Sequence, residues 1–131
     1  MHPPYSKGSD LTGQIIGAAI EVHKDKGPGL IESIYEWCLL CELGLQRLST
    51  QTQRLVTIQY KQFQREDSLR FDLLVENCVL VEVKSVERNL TIHQAQLLSY
   101  MKLLNVPVGL LINFNVTKLS EGVIRLNLPD L

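Results

Sequence analysis

Two apolar runs, residues 69–75 and 78–83, are separated only by Glu76-Asn77. A linker that short allows a tight turn and little else, so the two runs must pair as an antiparallel hairpin. Into this hairpin the sequence sets charges where Val, Leu and Ile are the rule: Asp72 in the first run, and the triplet Glu82-Val83-Lys84 at the end of the second. An acid on an apolar strand must be paired, hydrogen-bonded or bound to a cation, because removing an unpartnered charge from water is costly. Period two puts Glu82 and Lys84 on one face of their strand and Val81 and Val83 on the other. In a regular hairpin Asp72 lies within reach of a cation held by Glu82, with Lys84 one pleat further along.

The rest of the chain supplies helices to cover such a sheet. Leu11, Ile15, Ile16, Ala19, Ile20 and His23 recur at helical spacing, started by Ser9, Asp10 and Thr12 and stopped by Gly27-Pro28-Gly29. Leu30, Ile31, Ile34, Trp37, Cys38, Cys41 and Leu45 form a second apolar helical pattern, with Gly44 marking its expected end. Residues 54–63 alternate as a half-buried strand, and Arg65-Glu66-Asp67-Ser68 reads as a polar turn. Ile92, Ala95, Leu97, Leu98, Met101, Leu103 and Leu104 predict a third helix closed by Asn105 and Pro107. Residues 108–114 are nearly all apolar, as in a strand buried on both faces, and a weaker strand follows at 122–128. Helix-linked strands favour parallel crossovers while the hairpin is antiparallel, so the expected class is α/β or mixed α+β, a mixed sheet flanked by helices.

A chain of 131 residues supports one core, so residues 1–10 are expected to be a flexible lead-in and 11–131 a single domain. A formal net charge of -1 excludes a broad basic footprint, and any phosphate binding must come from local clusters or bound cations. The three cysteines, Cys38, Cys41 and Cys78, are an odd number, and no signal-peptide layout precedes them, which points to a reducing cytoplasm. Cys38-x-x-Cys41 lies within an apolar helical run and reads as buried and inert rather than metal-binding. No apolar run approaches membrane-spanning length, so no membrane partner is expected.

Hard carboxylate oxygens suit Mg²⁺ or Mn²⁺. Such a cation acidifies a bound water and polarises a phosphate, and a lysine can orient the nucleophile or neutralise developing charge, the needs of phosphodiester hydrolysis. The same triplet also occurs on surface hairpins whose Glu and Lys are merely solvated. Glu32 would then serve only the helix dipole, and His23 and His93 would be structural.

Further motifs carry a resemblance. Gly29-Leu30-Ile31-Glu32-Ser33-Ile34-Tyr35 resembles the signature of the GxxExxY proteins, and Asp72 with Glu82-Val83-Lys84 resembles the PD-(D/E)XK nuclease core, with Phe71 in the proline slot. Glu21-Val22-His23-Lys24, His93 through Tyr100 and Gly109 through Phe114 extend the likeness over nearly the whole chain. The resemblance implies a restriction-endonuclease-like fold and a nuclease activity. It makes Asp72, Glu82 and Glu32 the metal ligands and Lys84 the catalytic lysine. Gln96 and Tyr100 resemble the Gln-x-x-x-Tyr element of RecB-like nucleases; their spacing puts both on one helix face, where amide and phenol can hold a phosphate, a water or the lysine. Tyr35, His93 and His23 stand behind these groups.

The expectation is therefore a Mg²⁺-dependent (or Mn²⁺-dependent) nuclease acting on nucleic acid, DNA ahead of RNA. The alternative is a non-catalytic module that keeps the fold to bind nucleic acid or protein. For that alternative, a homodimer or larger assembly could supply the basic surface that one chain lacks.

Overall fold

In the computed structural model, which describes residues 3–88 and 91–129, the elements run α1 (Pro3–Lys26), α2 (Glu32–Leu45), β1 (Thr50–Tyr60), β2 (Phe63–Val75), β3 (Val79–Lys84), α3 (Thr91–Leu104), β4 (Val108–Asn113), a short 3₁₀ turn and β5 (Val123–Asn127). The five strands form one sheet in the order β1-β2-β3-β4-β5. β3 and β4 pair in parallel across the α3 crossover, and every other neighbouring pair is antiparallel. This is the mixed α+β architecture expected, with helices on both faces of the sheet.

Strand alternation builds two cores. Val79, Val81 and Val83 of β3 with Val108, Leu110 and Ile112 of β4 face α1 and α2, where Ile15, Ala18, Ala19, Leu39 and Leu43 meet them. Leu80 and Leu111 face the other way, onto Leu97, Met101 and Leu104 of α3. β4 is buried along its whole length, as its unbroken apolar run requires.

Several boundaries depart from the sequence expectation. The helix begins at Pro3 rather than near Leu11, because proline at a first helical turn gives up no hydrogen bond; of the segment read as a lead-in, Met1 and His2 lie outside the described residues. Gly44 does not end α2. The chain turns at Arg47 (φ 60°), with Leu48 N–H on Leu43 O at 3.1 Å and Arg47 N–H on Gly44 O at 2.9 Å, the paired bonds of a Schellman cap. At the end of α3 the left-handed residue is Asn105, as expected. Residues 65–68 are strand, not turn: Tyr60 pairs with Phe63 around Lys61-Gln62, and Arg65 pairs with Ile58. That ribbon is largely exposed, so its polar residues carry no burial signal, and Arg65 and Asp67 join across one face at 2.6 Å.

Candidate active site

The β2–β3 hairpin turns through Glu76 (φ 52°) and Asn77 (φ 56°), and its ladder pairs Val75 with Val79, Leu74 with Leu80 and Leu73 with Val81. One step further the same register sets Asp72 opposite Glu82. There the backbone ladder stops, and the Asp72 side chain takes over: its Oδ2 accepts the Val83 N–H at 2.6 Å. The cause lies on the other side of β2. Gln51 of β1 pairs with Leu74 and Gln53 with Arg70, so β1 spends only Thr52 where β2 spends Phe71, Asp72 and Leu73. This bulge reverses the alternation, and Leu69 and Phe71 pack on the α3 side together with Leu74. Asp72, Glu82 and Lys84 share that side by period two. A cleft of about 300 Å³ opens there, lined by Asp72, Glu82, Gln96, Tyr100 and Arg70.

A second set of acids arrives from α2. Glu32 and Glu36, one helical turn apart, lie on one side of that helix. Glu32 Oε2 accepts the Ser85 N–H at 3.3 Å, immediately after Lys84. Glu36 is half-buried and hydrogen-bonded to Asp72; burial, then that hydrogen bond and the charges of Asp72, Glu32 and Glu82 push its carboxyl up to about 8. Glu82 is pushed up to about 7 by burial and by Asp72, while the Lys84 ammonium pulls the other way. Crowded carboxylates in a partly dry site hold protons that each alone would release.

The structure fixes this cluster from behind. Tyr35 is fully buried and stacks on Phe114 with ring centroids 4.5 Å apart. Its hydroxyl donates to Gly27 O at 2.6 Å and accepts the Leu30 N–H at 3.0 Å, closing the turn whose Gly27 and Gly29 take φ of 72° and 93°. That turn delivers Glu32 as the first residue of α2. Ser85 Oγ donates to Leu30 O at 2.5 Å. The buried Asn113 side chain accepts Val86 N–H at 3.1 Å and donates to Val86 O at 2.9 Å, holding the chain as it leaves Lys84.

Oxygen donors in excess of positive charge are what a hard divalent ion attracts, and by donor type and charge Asp72, Glu82, Glu32 and Glu36 fit one. As placed, however, the carboxylates face one another through hydrogen bonds, and among the described residues no three acids, histidines or cysteines converge as a ready ligand cage.

The sequence model of the PD-(D/E)XK nuclease superfamily matches residues 9–126. The chain belongs to that superfamily. No curated protein matches the chain. Among solved structures, the crystal structure of SSO0001 is similar at 18% identity and TM-score 0.45, over 92% of this chain and 79% of that one. PD-(D/E)XK proteins are typically nucleases, and they usually work with divalent metal ions.

Against the sequence reading of this PD-(D/E)XK chain, Asp72, Glu82, Gln96 and Tyr100 line one cleft; Lys84 and Glu32 do not line it but act on Glu82 through their charges, and Glu32 borders a separate cavity with Ser85. Two expected helpers sit elsewhere. His23 Nε2 donates to Val116 O at 2.8 Å beside Phe114, bracing the loop after β4. His93 is half-buried on α3 and is not among the described residues lining the cleft. The residue that sequence reasoning missed is Glu36. Its signal was present, an acid one turn after Glu32 on the same side of α2. The cysteines also need correcting: Cys78 is buried, but Cys38 is only partly so and Cys41 is exposed, because α2 turns that side away from the sheet. No helix among the described residues is long and apolar enough to cross a membrane.

Proposed function

We propose that this chain is a Mg²⁺- or Mn²⁺-dependent nuclease that hydrolyses phosphodiester bonds of nucleic acid, with DNA as the preferred substrate. The observation that supports the reading is the parting of β2 and β3 at Asp72 and Glu82, which puts both acids in one cleft, with Lys84 one pleat beyond Glu82 on the same face of β3. Asp72, Glu82 and Glu32, with Glu36 beside them, would hold the cation. A bound divalent ion would supply an acidified water and polarise the phosphate. Lys84 supplies a fixed positive charge next to Glu82, where charge develops on the phosphate oxygens. Gln96 and Tyr100, one turn apart on α3, offer an amide and a phenol to a phosphate in the cleft, in the manner of the RecB-like Gln-x-x-x-Tyr element. The GxxExxY signature has a physical role here: its glycine and tyrosine set the turn that places Glu32. His93, one turn before Gln96, and His23, behind Phe114, act through their neighbours. Three cysteines with no disulfide among the described residues suit a reducing compartment such as the cytoplasm.

The test is cleavage of single- and double-stranded DNA and of RNA with Mg²⁺ or Mn²⁺, comparing the native protein with Asp72→Ala and Lys84→Ala. Cleavage that both substitutions abolish supports the reading; equal activity in all three rejects it. One observation favours a non-catalytic binding module instead, namely the acids hydrogen-bonded to each other rather than splayed around a common point. That reading predicts nucleic-acid or protein binding unchanged by chelator.

A further inference from the structure

α2 is apolar on two opposite sides, and the fold uses only one of them. Tyr35, Leu39 and Leu43 are buried against the sheet. Ile31 (67% exposed), Ile34 (37%), Trp37 (66%) and Leu45 (78%) lie outside, with Cys41 exposed among them. Ile31, Ile34, Cys38, Cys41 and Leu45 follow alternating steps of three and four, the spacing of a seam between two packed helices. A cavity of about 370 Å³ between α1 and α2, lined in part by Trp37, Cys41 and Leu45, gives the seam room for inserted side chains. An exposed apolar stripe of this extent, rimmed by polar residues, is characteristic of an interaction surface.

We propose that this stripe is the interface of a homodimer, with α2 packed antiparallel on α2 of a second copy about a two-fold axis near Cys38. A second copy fits because the stripe is nearly self-complementary. Ile31 and Leu45 are equidistant from Cys38 in sequence, and Ile34 and Cys41 nearly so. An antiparallel partner therefore meets apolar residue with apolar residue along the whole seam, as an isologous contact requires. The charges agree. Glu42 is the one charge on α2 outside the acid cluster. Before the N-terminal end of α2, Asp25 is ion-paired with Lys26 at 3.1 Å, so that end carries no unpaired acid against the seam, and antiparallel packing opposes the two helix dipoles. Glu32 and Glu36 project from α2 toward the sheet, and the dimer leaves the cleft open.

Sedimentation of the full chain from about 1 to 100 μM tests this, a range that resolves moderate dimer affinities. Trp37, the only tryptophan, neighbours Ile34 and Cys41 at the flank of the seam, so its emission responds when that flank is covered. The expected result is a dimer whose tryptophan emission shifts to the red on dilution, in step with dissociation. Leu45→Arg, at a position exposed in the single chain, should weaken the dimer at least ~30-fold, because it puts a charge against the apolar Ile31 end of the partner at both ends of the seam. Leu55→Arg, at another exposed leucine, on β1, should leave it intact. A monomer with water-exposed tryptophan emission throughout, or a dimer indifferent to Leu45→Arg, overturns the proposal. Far-ultraviolet circular dichroism identical to the native protein establishes that the variants fold.

Discussion

Asp72 substitutes for a strand: its carboxylate accepts the Val83 N–H at 2.6 Å where the β2–β3 backbone ladder has ended at Leu73 and Val81. One side chain thus closes the sheet edge and contributes charge to the cleft. The two roles separate by mutation. Asp72→Asn keeps an acceptor for Val83 and should fold with near-native stability while losing activity by about 100-fold or more. Asp72→Ala also strands the Val83 N–H, at a further cost of about 1–3 kcal/mol. Urea titration alongside a cleavage assay distinguishes the two variants.

Stability should depend on pH in a direction opposite to that of a salt-bridged acid. Glu36 and Glu82 are held up to about 8 and about 7, above an ordinary 4.5, so the folded state binds protons that the unfolded chain releases. Their contribution is complete below about pH 4.5 and is lost as pH rises through 7 to 8. Chelated protein should therefore melt lower at pH 8.5 than at pH 6. Glu36→Gln should flatten the profile and gain on the order of 1 kcal/mol at the alkaline end, a figure already reduced for solvent screening. Calorimetry across pH checks the sign.

Divalent ions should reverse that loss. Saturating Mn²⁺ at pH 8 should raise the melting temperature of the native protein by several degrees, since a ligand at 100 times its Kd stabilises by about 2.7 kcal/mol. Binding should release protons, measurable by titration calorimetry in buffers of different ionisation enthalpy. Glu82→Gln should lose most of the shift.

Tyr35→Phe keeps the stack on Phe114 and deletes the hydroxyl that bridges Gly27 O and Leu30 N–H. The expected cost is about 1–3 kcal/mol in denaturant unfolding, with activity falling as well because the turn that aims Glu32 loosens.

Two glycines should respond oppositely to alanine. A Cβ at Gly122 would sit 2.1 Å from the Asn113 carbonyl oxygen, so Gly122→Ala must displace backbone beside β4 and should cost about 1–3 kcal/mol. A Cβ at Gly44 meets nothing within 4 Å, and Gly44→Ala inside α2 should stabilise by about 1 kcal/mol. Thermal melts of the two variants settle both signs.

The sequence misled wherever burial, its main signal, was absent or doubled. Residues 65–68 look like a turn because a strand exposed on both faces has no reason to alternate. Gly44 looks like a helix end, yet the cap formed at Arg47 once Leu43 and Leu48 were drawn inward. The apolar pattern of α2 fitted either side of the helix, and only packing chose Tyr35, Leu39 and Leu43 over Trp37 and Leu45 for the core.

By itself the sequence determined the α3–β4 unit, the hairpin with its turn at Glu76-Asn77, and the placement of Glu82 and Lys84 on one face, because all of these follow from local periodicity and turn chemistry. The tertiary structure decided that β2 bulges at Asp72, that α2 brings Glu36 against it, and that Gln96 and Tyr100 close the same cleft. Those depend on contacts between segments far apart in the chain, where strand register and helix rotation are set by the total burial of the fold rather than by any residue's neighbours in sequence.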